Sequence, residues 1–331
     1  MRRLGAIAVS LAVLLAVAAG ALWFYLQSRY EAPGPLSAET IVVVPRGAGL
    51  AAIADDLAAA GVIADPTLFR IGVRLFGDAR ALQAGEYAFP PAASMQDAAE
   101  LIASGRTVVH RLTVPEGLTS VEVVALLEAA EPLDGTIEAV PPDGALLPET
   151  YHFHRGDSRA AVLQRMDEAM DAALEELWDK RAPNLPLNTP EEALVLASII
   201  EKETGVDAER ALVAGVFVNR LKKGMPLQSD PTVVYGITEG KAPLGRSLTR
   251  KDLANPTPYN TYQIAGLPPG PIANPGRAAL EAALNPAETD FLYFVAAGDG
   301  GHAFAKTLAE HNRNVAKWRK HLRSLQKQTT N

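Results

Sequence analysis

Hydrophobic and polar positions divide this chain into one long apolar opening and a series of shorter amphipathic stretches. Leu4 to Leu26 is apolar apart from small residues such as Ser10 and Gly20. As a helix that run would rise about 34 Å, enough for a hydrocarbon core of about 30 Å. Residues 27–39, with Pro33, Gly34 and Pro35, read as a short stiff spacer. Ile41 to Val44 then predicts a strand. Leu50, Ile53, Ala54 and Leu57 fall at helical spacing with Gly61 as a stop. A second helix is predicted from Asp65 or Pro66 to Gly77, and a returning strand over Gly85 to Phe89. Beyond Arg106 the pattern predicts a strand over Thr107 to Val114, a helix over Thr119 to Glu131 and a loop-to-strand entry at Leu146 to Tyr151. Ser158 to Lys180 predicts a long amphipathic helix, and Leu308 to Leu325 a terminal one with Arg313, Lys317, Arg319, Lys320 and Arg323 outward.

The fold class expected is α+β: a transmembrane helix, a small βααβ module resembling LysM over 40–105, and a larger mixed domain over 106–327. Arg2 and Arg3 place residues 1–3 in the cytoplasm by the positive-inside rule. Trp23, Phe24 and Tyr25 crowd the far end of the span at 4–26, where aromatic rings favour the headgroup zone. A cleaved signal peptide is the alternative, since Ala16-Val17-Ala18 offers a cleavage site. The apolar run continues well past it, beyond the roughly 7–15 residues of a signal's core, which favours a retained anchor. Val44-Pro45-Arg46-Gly47 recurs as Val114-Pro115-Glu116-Gly117. Two copies read as a repeated strand–turn–helix entry rather than a solenoid.

A net charge of −7 argues against a nucleic-acid partner. The absence of cysteine removes disulfides, thiolate zinc sites and cysteine nucleophiles together. No G-x-S-x-G elbow or P-loop occurs. His152 and His154 share a strand face, but no carboxylate–histidine cluster accompanies them, so neither metal nor other cofactor is expected.

The stretch from Thr189 to Gly205 carries the chemistry. Thr189 suits an N-cap, Pro190 the first helical position, Glu192 a capping box, and Gly205 a stop. Leu194 to Ile200 is apolar on nearly all sides apart from Ser198, which predicts a buried helix. It ends in Glu201 and Glu203, and carboxylates are rarely enclosed without a partner. The two lie about 200° apart around the axis and cannot line one cleft together. Glu201 shares its face with Leu194, Ala197 and Ser198, whose small side chains would leave room for a ligand. Glu203 shares its face with Leu196, Ile199 and Ile200. The helix C-terminus favours the protonated form of either acid, as a general acid requires. A purely structural reading, with both glutamates paired to Lys202, Arg210 or Arg220, stays open at this point.

Leu196-Ala197-Ser198-Ile199-Ile200-Glu201-Lys202-Glu203-Thr204 resembles the signature of the YceG-like endolytic transglycosylases. Val216 to Leu221, Met225 to Gly236, Tyr259 to Tyr262, Gly266 to Gly276, Tyr293 to Val295 and Gly301 to Phe304 resemble the further blocks in order. One departure is Glu149, standing where the family pattern has aspartate. The resemblance implies a peptidoglycan lytic transglycosylase of the inner membrane, single-pass with its catalytic domain in the periplasm. It would cut the bond from N-acetylmuramic acid to N-acetylglucosamine, leave a 1,6-anhydro end and terminate nascent strands. Glu201 would be the catalytic acid and then base, an internal hydroxyl replacing the second carboxylate that ordinary glycosidases need. Gln228, Ser229, Asp230, Tyr235, Tyr259, Asn260 and Tyr262 would bind the glycan. Partners implied are glycan strands, the cytoplasmic membrane and peptidoglycan synthases. The competing reading is a non-catalytic, membrane-anchored peptidoglycan scaffold; an amidase or peptidase lacks a metal site or activated nucleophile.

Overall fold

A computed structural model describes residues 2–329. Met1, Thr330, Asn331 and the side chains of residues 2–4 and 326–329 lie outside the described residues, and with them the arginine pair expected to mark the cytoplasmic end. The first element, α1 (Arg2–Glu31), runs on through the first residues of the expected spacer, about 45 Å in all. From Gly5 it is long and apolar enough to cross a membrane.

Two compact units follow from the contacts: Met1–His110 with His152–Gly156, and Arg111–Tyr151 with Asp157–Asn331. In the first, β1 (Thr40–Val44), α2 (Leu50–Ala59), α3 (Pro66–Phe76) and β2 (Gly85–Phe89) form the expected strand–helix–helix–strand order. The strands pair antiparallel, Thr40 opposite Phe89 and Val44 opposite Gly85. Asp65 caps α3, accepting from the amides of Thr67 and Leu68, and Pro66 opens the first turn. A helix unforeseen in the pattern, α4 (Met95–Ser104), closes the core behind a Ser94–Asp97 capping box and ends at Gly105 in the left-handed region. Phe69, Tyr87, Phe89 and Ile102 are fully enclosed there. Tyr30, from the last turn of α1, joins the same core. On β2, Glu86 is nearly enclosed and hydrogen-bonds His110 and Arg155. Burial pushes its carboxyl up, but the bonds to Arg155 and His110 outweigh that and hold it below the ordinary value.

Two strands shorter than expected, β3 (His110–Thr113) and β4 (Thr150–Phe153), pair with one another. The second unit also contains α5 (Ser120–Ala129), α6 (Arg159–Asp179), α7 (Pro190–Glu203), α8 (Asp207–Lys222), α9 (Asp230–Thr238), α10 (Arg250–Ala254) and α11 (Arg277–Leu284). The antiparallel hairpin β5 (Tyr293–Ala296) and β6 (His302–Ala305) follows, and α12 (Leu308–Thr329) packs on it. Helix α7 is the spine: α6, α8, α9 and α11 all pack on it, and Leu196, Ala197, Ile199 and Ile200 are sealed from solvent.

Loops at the end of α7 are held by one side chain. Asn274, fully buried, accepts from the amides of Gly144 and Leu146 and donates to the Leu118 carbonyl and the Ser120 hydroxyl. Its own carbonyl accepts from Gly117. Replacing it leaves two enclosed amides unpaired, each costing roughly 1–3 kcal/mol. Asn274→Ala is therefore expected to lower unfolding free energy by about 2–4 kcal/mol in chemical denaturation; an unchanged midpoint would count against this role.

Candidate active site

Thr189 caps α7 through the Glu192 amide, and Pro190 sits in the first turn. The expected reciprocal bond is displaced, for the Glu192 carboxylate accepts instead from the Asn188 amide at 2.6 Å. At the other end Thr204 is the cap, in extended conformation, and Gly205 needs no left-handed turn.

The two glutamates leave the helix on different sides, as the helical angle requires. On one side, Glu201 is half-buried and its Oε2 accepts from the Gly276 amide at 2.9 Å. The room expected beside it is filled: Ala197 and Ser198 are fully enclosed, and the Ser198 hydroxyl donates to the Val195 carbonyl and accepts from the Ile272 amide. Burial raises the Glu201 carboxyl, the Gly276 bond draws it back, and the charge of Glu116 raises it further. Glu116 lies so close to Gly276 that an added Cβ there would meet its Oε1 at 1.8 Å. In the sequence Glu116 stands out only as part of the repeated Pro-x-Gly turn. Its partner 85 residues away becomes a neighbour because Asn274 ties the two loops.

On the other side, Glu203 accepts from the Ser229 hydroxyl at 2.5 Å. It lines an open cavity of about 500 Å³ with Arg220, Gln228, Asp230, Tyr262, Tyr293 and His302 among its walls. Ser229 occupies the N-cap position of α9 yet makes no side-chain cap, because its hydroxyl is committed to Glu203. Burial raises the Glu203 carboxyl; the Ser229 bond opposes this, and the Asp230 charge adds to it. Asp230 in turn accepts from the Tyr262 hydroxyl at 2.7 Å.

The expected glycan-binding set thus splits. Gln228, Asp230 and Tyr262 line the cavity with Glu203, Gln228 in left-handed conformation and exposed. Ser229 is enclosed and acts on Glu203. Tyr235 and Tyr259 pack ring to ring at 4.7 Å, and the Tyr235 hydroxyl donates to Asp143 at 2.6 Å. Tyr235 faces a separate groove of about 610 Å³ that also borders Asp230. Asn260 is fully buried: its amide donates to the carbonyls of Asp252, Leu253 and Asn255, and its Oδ1 accepts from the Tyr262 amide. It is a loop staple with no polar atom turned to a ligand. Arg220 is largely spent on backbone, donating to the carbonyls of Leu292, Pro226 and Leu227, and it also donates to Gln228 Oε1 at 3.3 Å.

His302 is the cavity residue that residue-type reasoning did not assign. Glu209 of α8 grips it, accepting from the backbone amide at 2.9 Å and meeting ring Nδ1 at 2.7 Å. That leaves Nε2 as the ring nitrogen for a ligand.

A carboxyl held above its unfolded value binds its proton more tightly folded than unfolded. Its contribution to stability is complete below the unfolded value near pH 4.3 and declines as pH rises through the folded one. Glu203→Gln removes this dependence. The variant is expected to gain thermal stability over the parent at pH 7 and to lose that advantage near pH 4, by parallel thermal unfolding; equal gaps at both pH values would contradict the raised carboxyl.

The profile of the YceG-like family matches residues 42–317. The chain is 33% identical over 332 residues to the endolytic murein transglycosylase of Bacillus subtilis, spanning 90% of each protein. It is 29% identical over 364 residues to the endolytic murein transglycosylase of Streptococcus pneumoniae strain D39, spanning 94% of this chain and 65% of that one. A solved YceG-like protein from Listeria monocytogenes is 32% identical, covers 83% of this chain and 98% of its own, and superposes with a TM-score of 0.49. The family profile runs across most of the chain, spanning both the helix with its two glutamates and the loops that line the cavity, and on that ground this protein belongs to the YceG-like family.

Proposed function

We propose that the protein is an endolytic peptidoglycan lytic transglycosylase, anchored by α1 in the inner membrane with its second unit in the periplasm, and that Glu203 is its acid. The observation that carries this reading is the cavity, where a raised carboxyl meets Gln228, Asp230, Tyr262 and His302. The names of the relatives support the reaction class.

Protonated Glu203 would give its proton to the glycosidic oxygen as the bond from the muramoyl anomeric carbon breaks. The departing N-acetylglucosamine carries that proton as a hydroxyl. Asp230, which lines the cavity, would stabilise the positive character left on the anomeric carbon. Carboxylate 203 then takes the proton of the muramoyl 6-hydroxyl while that oxygen bonds to the same carbon, closing the 1,6-anhydro ring and restoring the acid. Water takes no part, so a second base is not required. Cutting within nascent strands in this way would terminate them beside the synthases that extend them.

The expected catalytic residue, Glu201, remains a second reading, supported by its own raised carboxyl and by the Glu116 charge beside it. The two are separated by paired substitutions on purified glycan strands, with products read by mass spectrometry. Glu203→Gln is expected to abolish anhydro-muramoyl ends, by at least about 10² in rate for loss of a general acid. Glu201→Gln is expected to stay folded and to keep the same products, since a glutamine oxygen can still accept from the Gly276 amide. A folded, active Glu203→Gln beside a folded, inactive Glu201→Gln would transfer the role. Reducing muramic acid ends from the parent would make the enzyme a hydrolase, and binding without cleavage would leave the scaffold reading.

A further inference from the structure

Helix α1 does not stop where its apolar run stops. Trp23, inside that run, meets Phe76 at the end of α3 with ring centroids 4.8 Å apart, edge to face. Two turns further out, Tyr30 lies against Gly72 so closely that an added Cβ there would stand 2.2 Å from its ring. As α1 proceeds outward from residue 23 to 30, its contact on α3 extends back from residue 76 to 72: the base of the Tyr30 ring meets Gly72 while the ring still packs on Phe76 with centroids 5.7 Å apart. The two helices are therefore antiparallel, and the C-terminal end of α3 points toward the membrane.

Trp23 lies in the aromatic belt that terminates the span, with Phe24 and Tyr25 exposed beside it. A side chain touching Trp23 stands at the same depth. The neighbouring surface of α3 suits that level. Ile71 and Leu75, one turn apart, are exposed apolar residues. Arg70 and Arg74 run alongside them, and Arg80 follows in the exposed turn with Asp78 as the opposing charge. Exposed apolar side chains flanked by arginines suit the membrane-facing end of a helix, where apolar atoms enter the interface and the guanidinium heads reach phosphate.

We infer that the first unit is seated on the membrane surface where α1 emerges: Ile71, Leu75 and Phe76 enter the headgroup zone, and Arg70, Arg74 and Arg80 meet the phosphates of anionic phospholipid. The inference rests on reading α1 as a retained span. Gly72 is what permits it, since any side chain there would force Tyr30 and the whole of α1 away from α3. The seating makes α1 a fixed mast rather than a tether, with the first unit unable to swing freely about its anchor.

The chain has no cysteine, so single probe sites can be introduced in the full-length protein. Leu75→Cys, Leu14→Cys and Ala64→Cys are labelled with an environment-sensitive nitrobenzoxadiazole group. Each is reconstituted in vesicles of phosphatidylethanolamine and phosphatidylglycerol containing brominated lipid. Ala64 is exposed at the far end of α3, about 15 Å further from the membrane by helical rise. The Leu75 probe is expected to be blue-shifted and quenched several-fold more than the Ala64 probe, and less so without phosphatidylglycerol. A Leu75 probe as solvent-exposed as Ala64, beside a quenched Leu14 probe, overturns the seating while sparing the span. An unquenched Leu14 probe overturns both.

Discussion

A helix that is apolar around its circumference can carry a carboxylate only at its end, and there the carboxylate must be paired, hydrogen-bonded or protonated. In α7 that constraint acts twice within three residues, and the second unit is arranged around its two solutions. Glu201 takes a backbone amide from a Pro/Gly-rich loop. Glu203 takes a serine hydroxyl and keeps the cavity. Among the described residues neither forms an ion pair with a guanidinium or ammonium, and burial outweighs the more distant positive charges and holds both above the ordinary carboxylate value. An ion pair of the kind first considered for either residue would have had the opposite effect, drawing the carboxyl down and removing the proton a general acid needs.

Local order was legible wherever one residue or one period decides it. Asp65-Pro66 opens α3, Thr189-Pro190 opens α7, and the β-branched run Ile41 to Val44 marks β1. The angle between Glu201 and Glu203 also follows from the chain alone. What each glutamate meets does not, because Gly276 and Glu116 come from loops tied by Asn274, and Ser229 and Asp230 from the start of α9, where the Thr261 hydroxyl accepts from the Ser229 amide. Small residues at 197 and 198 suggested space, yet in a packed interior small side chains admit a neighbour rather than a void. The strand expected over 107–114 is confined to four residues, since Thr107 and Val108 bond irregularly to Gly105 and Glu86.

Residue type alone does not tell which polar loop side chains are committed within the fold. Asn, Ser, Tyr and Asp are all plausible sugar-binding side chains, but buried polar groups must first satisfy themselves. Asn260 spends its amide on three carbonyls and Ser229 its hydroxyl on Glu203, leaving Gln228, Asp230 and Tyr262 for the cavity. His302 escaped notice because nothing local marks it; its role depends on Glu209, 93 residues earlier on α8. A histidine immediately after a Gly-Gly pair is weighed differently once a carboxylate is known to grip one of its nitrogens.

The central claim is that the substrate's scissile bond lies on the Glu203 side of α7. It is tested most directly by a crystal structure of the Glu203→Gln protein bound to a GlcNAc–MurNAc oligosaccharide. The account predicts a glycosidic oxygen within about 3 Å of the side-chain amide at position 203, the reach a general acid needs, with Asp230 and His302 against the flanking sugars. A strand lying instead along Gly276 and Glu116, with its glycosidic oxygen on Glu201, would contradict it.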